Sequence, residues 1–379
     1  MIIVRGDTRA VPDTTRAEDR PRSDYTLLRK ELGARFVDLN DVQASRLGRL
    51  TRAVCGTYAA LAVTAFRQRG TATAFVSNSE NEAIILALLL KLTRRSLPIV
   101  AVGQFPAKPQ KWAAWRIARV HTHIHRLMPL GSVQAEHLVN DLGVPASKVE
   151  VLPYGIDTEY WQMEKATPRQ MDRPYVIAAG LQHRDYRTLV RAADGLDLEV
   201  LIAAASPWSK SANQLDGEEQ PPGITVESPS LGELRDAYAG AVAVVVPVVE
   251  TSFPAGTTSI LEAMAMSKPV IVSRSEGAGD YVTDRRRILR RGPMRSTSAT
   301  YAARFGSATA QGQTGLHVPV GDAGELRSVL QWVADHPEEA AAVGQRGRAT
   351  VTEIYRVEDY VGRIAAAVRS GFAEEKHGS

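Results

Sequence analysis

Residues 242–272 set the strongest constraint on this chain. Val242–Val246 is an unbroken apolar run of strand length. Pro247–Gly256 is a loop of small and polar residues, a helix follows over roughly Thr257–Met266, and after Lys268-Pro269 a second apolar run, Val270–Val272, reads as a strand. This is one strand–loop–helix–strand unit of a doubly wound parallel sheet with a right-handed crossover. The segment Pro254-Ala255-Gly256-Thr257 lies at the N-terminus of the helix. There the backbone N–H groups of Ala255, Gly256, Thr257 and Thr258 and the helix dipole favour an anion, usually a phosphate. Gly256 permits close approach of a ligand. Glu262 sits inside the helix, where a carboxylate is suited to a ribose diol rather than to phosphate.

The rest of the chain repeats this alternation. In the first half, strands are expected at Met1–Val4, Arg35–Leu39, Ala74–Ser77, Leu97–Val102 and Leu127–Leu130. Helices are expected at Tyr25–Leu32, from Asp41 to about Arg69, at Glu82–Leu92 and at Val133–Leu142. The long helix carries Leu47, Leu50, Val54 and Tyr58 at helical spacing. In the second half, strands Tyr175–Ala179, Leu198–Ala203, Ile224–Val226 and Leu316–Val320 alternate with helices Tyr186–Ala193 and Leu231–Ala239, a helix capped by Asp322, and Pro337–Ile354 and Val357–Val368. Such alternation means α/β architecture, with ligands at the loops after the strands' C-terminal ends. The polar, Pro-containing stretch Thr158–Pro174 is the expected linker. It divides a domain of residues 1–162, joined by the helix 357–372, from one of residues 163–356.

A chain of 379 residues is long enough for two cores. Its single cysteine, Cys55, excludes an internal disulfide framework and fits a reducing cytoplasm. The first residues lack the basic and apolar regions of a signal peptide. The longest apolar run, Ala83–Leu90, is too short to span a bilayer, which takes about 20 residues. A formal charge of +4 leans towards anionic partners such as nucleotides, phosphates or lipid headgroups, and is too weak for nucleic acid. No Cys/His cluster of metal-ligand spacing is present, and the alternation of His121, His123 and His125 does not form one helix face.

Two segments admit two readings each. Residues 108–126 combine Lys108, Lys111, Arg116, Arg119 and Arg126 with Trp112 and Trp115. They form either a surface for an anionic acceptor or the inner membrane face, or a helix with its tryptophans in the core and a solvated cationic face, the plainer reading. Residues 284–314 are dense in arginine and then in Ser, Thr, Ala and Gly. They read as a solvated insertion or as an electrostatic lip beside the anion site.

Three motifs in order carry a resemblance to a known family. Val151-Leu152-Pro153-Tyr154-Gly155-Ile156-Asp157, Leu261-Glu262-Ala263-Met264-Ala265-Met266-Ser267-Lys268-Pro269-Val270-Ile271 and Gly315-Leu316-His317-Val318-Pro319-Val320-Gly321-Asp322 resemble the signatures of retaining glycosyltransferases of family 4, the group 1 type. The resemblance runs from about Gly131 to Val361. It implies the GT-B fold, two Rossmann-like domains facing across a cleft, with the last helix crossing back to the first. It also implies transfer of a sugar from a nucleotide-diphosphate donor with retention, the nucleotide-sugar serving as co-substrate without a metal requirement.

Residue by residue, the resemblance places Arg184 and Gly180 at the donor diphosphate, Glu262 on the ribose, and the amides of Ala255, Gly256, Thr257 and Thr258 at the phosphates and sugar. Arg184 and Glu262 are thereby the candidate catalytic pair. Two family positions differ: Leu181 stands where an arginine is usual, and Pro254 where a sugar-contacting glutamate is usual, with Glu250 nearby as a substitute. The leaving phosphate can itself take the acceptor proton, so no base is required. Glu80, on a loop of the first domain, is the residue to test as one, or else a capping or core residue. The acceptor is a lipid, a glycan or a small metabolite. The competing readings are a GT-B binding protein without catalysis, and a phosphorylase or epimerase on the same plan.

Overall fold

The structure, a computed structural model, describes residues 1–8, 20–106, 108–204, 215, 220–278, 280–283 and 312–377, with side chains to residue 372. The arginine-rich stretch 284–311 lies outside the described residues. By contacts the chain divides into two units, one of residues 1–16, 22–155 and 357–379, the other of residues 17–21 and 156–356.

The first unit runs β1 (Ile2–Ile3), α1 (Asp24–Leu32), β2 (Phe36–Val37), α2 (Leu39–Ala44), α3 (Arg46–Arg67), β3 (Phe75–Ser77), α4 (Glu80–Leu92), β4 (Ile99–Gly103), α5 (Trp112–Arg116), β5 (Arg126–Pro129) and α6 (Ser132–Asn140). Its strands pair in parallel in the order β2-β1-β3-β4-β5. Except for Phe36 and Arg126 at strand starts, their residues are buried, because helices cover both faces, which is why these strands read as largely apolar runs.

The helix expected from Asp41 to about Arg69 is instead two elements and a reversal. Asp38 caps α2 with a full capping box, its carboxylate accepting from the N–H groups of Asn40 and Asp41. Ser45 then caps α3. Within α3, Gly56 takes φ 84° and ψ 177°, a conformation open to glycine, and breaks the helix. A straight helix of 22 residues would be about 33 Å long, yet Arg67 Nη1 lies 3.4 Å from Ser45 Oγ. The two halves of α3 therefore fold back on each other as a hairpin with its tip at Gly56. The helical spacing of Leu47, Leu50 and Val54 does not make them core: they are exposed, while Ala60, Leu61, Ala62 and Ala65 of the second half are buried.

Residues 108–126 form short turns around α5, not one basic helix. Trp115 is fully buried and donates from Nε1 to Pro106 O at 3.0 Å, whereas Trp112 is exposed. Lys111 points inward to the buried carboxylate of Glu80.

The second unit runs β6 (Tyr175–Ala179), α7 (Tyr186–Ala193), β7 (Glu199–Ala203), β8 (Ile224–Glu227), α8 (Leu231–Gly240), β9 (Ala243–Val246), α9 (Thr257–Ala265), β10 (Val270–Ser273), β11 (Leu316–Val318), α10 (Ala323–Asp335) and α11 (Pro337–Ile354). Its parallel sheet has the order β11-β10-β9-β6-β7-β8. Strand order reverses between β6 and β9, which makes the crevice beyond their C-terminal ends the topological switch point. Asp322 caps α10, accepting from the Glu325 N–H at 2.9 Å.

The first unit ends at Gly155, ahead of the boundary expected at residue 162. The reason is packing: Tyr160 and Trp161 are buried, and the Trp161 ring lies 5.7 Å from that of Tyr238 in the second unit. Arg348 of α11 donates to Trp161 O at 2.9 Å and to Ala265 O, at the end of α9, at 2.7 Å. The last helix, α12 (Val357–His377), returns to the first unit, where Tyr360, Val361, Ile364, Ala365 and Val368 join Ile2, Val4, Val76, Val100 and Val102 in one core cluster.

Candidate anion site of the second unit

The loops after β6 and β9 meet at the switch point and are stitched together. The Asp185 N–H donates to Pro247 O at 2.7 Å and the Val249 N–H to His183 O at 3.1 Å, and Arg184 bridges Val248 in antiparallel pairing. His183 adopts φ 57° and sets its ring edge-on to Phe253, 4.9 Å away. The loop after β10 closes on the same place: the Gly277 N–H donates to Thr251 O at 2.9 Å, and a Cβ on Gly277 would lie 2.2 Å from Phe253 O.

Arg184 is the centre of this arrangement. Its side chain is buried, with Nε donating to Ala179 O at 2.9 Å, Nη1 to Gln182 O at 3.0 Å and Nη2 to Ser259 Oγ at 3.2 Å. A guanidinium has five N–H donors and these contacts use three. Burial presses its pKa down, and Tyr186, Tyr238 and the carboxyl of Glu262 push it back up. Among the described residues Arg184 forms no salt bridge, and its charge stays on because a guanidinium is not deprotonated in proteins.

Two glycines leave room for that guanidinium. Gly180, at φ 104°, would put a Cβ 2.6 Å from Nη2. Gly256, at φ 82°, would put one 3.6 Å from Nη1 and 2.5 Å from Val246 Cγ1. Gly256 is also the N-cap of α9 and offers no side-chain cap. The N–H groups of Gly256, Thr257 and Thr258 make no hydrogen bond among the described residues. They point from a helix N-terminus beside a buried cation, the electrostatics of an anion site. Ala255 differs from the expectation: its N–H is committed to Phe253 O at 2.7 Å. The Thr257 hydroxyl likewise donates to Pro254 O at 2.7 Å.

Glu262 is buried one turn further along α9, 8 % exposed, and its Oε2 accepts from the Tyr238 hydroxyl at 2.9 Å. Burial raises its pKa to about 8, moderated by the Tyr238 hydrogen bond and by Arg184. The second oxygen makes no hydrogen bond among the described residues. Glu250, the substitute expected for the glutamate replaced by Pro254, accepts from the Glu276 N–H at 2.7 Å and so braces the loop after β10.

Glu80, expected as a base or a capping residue, has a structural place in the first unit. It is fully buried, bonded to Lys111 Nζ, and accepts the Gln104 N–H at 2.9 Å. Lys111 also donates to Phe105 O at 3.0 Å, so the pair fixes the loop after β4.

Sequence reasoning missed Ser259, Tyr238 and Tyr186. Ser259 links Arg184 to Ala179 O, Tyr238 holds Glu262, and the Tyr186 hydroxyl donates to Gly180 O. Ser259 was findable, since a serine in the first turn of an apolar helix has to place a hydroxyl. Tyr238 lies 24 residues from Glu262 and carries no local signal.

Residues 181–302 match the family described as glycosyl transferases group 1. The chain has the GT-B fold, and part of its second unit is similar to the glycosyl transferases group 1. Its curated relative, an MMP alpha-(1->4)-mannosyltransferase of Mycolicibacterium hassiacum, is 23% identical over 296 residues, 74% of this chain. The chain spans 64% of that relative's length. Among solved structures, a glycosyltransferase from Rickettsia africae superposes with a TM-score of 0.63 at 11% identity, covering 98% of this chain and 97% of that one. Anabaena HepE in complex with UDP-glucose superposes with a TM-score of 0.60 at 12% identity, covering 92% and 90%. At these identities the structural neighbours show the GT-B fold.

Proposed function

We propose that the protein is a glycosyltransferase that moves a hexosyl or related sugar from a nucleotide-diphosphate donor to an acceptor with retention of configuration. The observation that carries this reading is the buried Arg184 guanidinium beside the bare N-terminus of α9, at the switch point of the sheet. A fixed cation and three aimed N–H groups match a diphosphate, in charge and in hydrogen-bond donors. The mannosyltransferase relative and the UDP-glucose complex of a structural neighbour support a sugar nucleotide as the donor.

The glycosyl bond to the β-phosphate oxygen breaks, the acceptor oxygen bonds to the same face of the sugar carbon, and the acceptor proton passes to the leaving phosphate. Arg184 and the amides of Gly256, Thr257 and Thr258 meet the charge that grows on that phosphate, a role in which one donor is worth on the order of 10²–10³ in rate. Because this charge is met by protein groups, the reading includes no metal requirement. Glu262 presents its second oxygen to the ribose. The acceptor class is a lipid, a glycan or a small metabolite.

A thermal-shift panel of UDP, GDP, dTDP and ADP is the first test. A nucleotide at 100 times its Kd adds about 2.7 kcal/mol of stability, and no shift with any of the four would remove the donor site. The second is acceptor-dependent release of nucleoside diphosphate from the matching sugar nucleotide.

A further inference from the structure

The Glu262 carboxyl is tied at one oxygen, by a tyrosine that is itself wedged in place. Tyr238, on α8, is fully buried, and its hydroxyl donates to Glu262 Oε2 at 2.9 Å. The buried ring of Trp161 lies 5.7 Å from the Tyr238 ring at 58°, and the Trp161 carbonyl accepts from Arg348 at 2.9 Å. The peptide that leads into Tyr238 is fixed as well, since Ala237 O accepts from the Tyr175 hydroxyl at 2.7 Å. Ser259 lies within hydrogen-bond reach of the Tyr238 hydroxyl, and its Oγ accepts from Arg184 Nη2 at 3.2 Å. The chain Arg184–Ser259–Tyr238–Glu262 thus joins the cation of the anion site to a carboxyl deeper along α9.

A glutamate side chain turns about three bonds, so a carboxyl left to itself presents its oxygens in several directions. Holding Oε2 removes that freedom and leaves Oε1 as the one carboxyl oxygen without a hydrogen bond among the described residues. A polar atom at so sheltered a place is costly to leave unmade. A ligand hydroxyl that reaches Oε1 completes it, and an analogue without that hydroxyl leaves it bare. A site built in this way rejects the deficient analogue far more strongly than an apolar pocket rejects a missing methylene.

We propose that Tyr238 is a positioning residue which, by holding Glu262 Oε2, aims Oε1 at a ribose hydroxyl, so that the donor is a ribonucleotide sugar and not a deoxyribonucleotide one. This rests on the nucleotide-sugar reading of the site and narrows its donor class. Trp161 acts one step further out, as the support of the Tyr238 ring.

Titration calorimetry of the full chain tests it with UDP, GDP and ADP, the 2′-deoxy and 3′-deoxy analogue of each, and inorganic pyrophosphate. For the nucleotide that binds best, the parent should prefer the ribose form over at least one deoxy analogue by about tenfold or more. Tyr238→Phe keeps the ring against Trp161 and should bring that preference below about threefold, while pyrophosphate binds as it does to the parent. Tyr238→Phe/Glu262→Gln should discriminate no less than Glu262→Gln alone, because the tyrosine acts through the carboxyl. Should Tyr238→Phe fail to fold, Trp161→Phe takes its place, with a preference expected between those of the parent and Glu262→Gln. A parent that binds pyrophosphate and ribonucleotides but accepts both deoxy analogues equally overturns this inference and leaves the donor site standing. So does a Tyr238→Phe variant that keeps the full preference, or one that loses pyrophosphate and nucleotide in equal measure. A parent that binds neither pyrophosphate nor any nucleotide overturns the donor site and this inference with it.

Discussion

Arg184 Nη2 and Ser259 Oγ meet at 3.2 Å across 75 residues of chain, tying the loop after β6 to the first turn of α9. The same serine lies 3.3 Å from Ala179 O, which also accepts from Arg184 Nε at 2.9 Å. A hydroxyl, a carbonyl and a guanidinium thus lock one another, and the cation arrives at the helix N-terminus already oriented. Preorganisation of this kind keeps the ordering of the arginine out of the binding step.

Arg184→Lys keeps a charge and loses the fork. We expect nucleoside-diphosphate affinity to fall by about tenfold or more, with Arg184→Ala at least as weak. Titration calorimetry with the nucleotide that stabilises the parent measures this. Parent-like affinity in the lysine variant would show that the fork does not grip the phosphates.

Gly256→Ala should destabilise the fold by about 1–3 kcal/mol, because φ 82° is costly for alanine and the new Cβ would lie 2.5 Å from Val246 Cγ1. Gly232→Ala, in α8 with nothing within 4 Å of its Cβ, is the control and should be neutral or slightly stabilising. Urea unfolding compares the two. Equal midpoints would mean that the loop at Gly256 relaxes freely.

The pH dependence of stability follows from Glu262. Its folded pKa is raised from 4.5 to about 8. Below about 4.5 both states hold the proton, and between about 4.5 and 8 chiefly the folded state does. Stability present in acid is therefore lost as pH rises through about 8, at a rate of up to about 1.4 kcal/mol per pH unit. Glu82, buried and raised to about 7, adds to the lower part of the window. Denaturation from pH 5 to 9 should give a shallower decline in Glu262→Gln than in the parent. Identical slopes would place the titrating group elsewhere.

Glu80 and Lys111 are a buried pair, so removing one partner strands the other. Glu80→Gln or Lys111→Met should each cost about 3–5 kcal/mol, and the joint replacement Glu80→Met/Lys111→Met much less than the sum. A thermodynamic cycle by urea unfolding reads the coupling. Additive losses would show that the contact carries no energy.

The parallel sheets were legible because strands covered on both faces are written as apolar runs, Val242–Val246 most plainly. The loop–helix junction at Gly256 was legible because glycine and small residues there have a backbone reason. What the sequence left hidden depended on distance in the fold. Leu47, Leu50 and Val54 have helical spacing, yet the side that the helix turns inward is that of Gly48, against Val42. Glu80 has the position of a cleft residue, and Lys111, reached through another strand, makes it a structural ion pair. Ala255 has the position of a phosphate donor, and a turn to Phe253 O uses its N–H.

The return of α12 to the first unit gives the two sheets different histories during synthesis. The second unit is continuous from Ile156 to Arg356 apart from residues 17–21 and can close as its own segment emerges. The first has its strands by Pro129, but the face carrying Ile2, Val4, Val76 and Val100 waits for Tyr360–Val368. At about 5–20 residues per second, the roughly 200 residues from Gly155 to Val357 take about 10–40 s to be made. For that interval α1 alone, through Leu28, packs on this face, and the part that α12 covers stands open on the ribosome-bound chain, where chaperone capture competes with association between nascent copies.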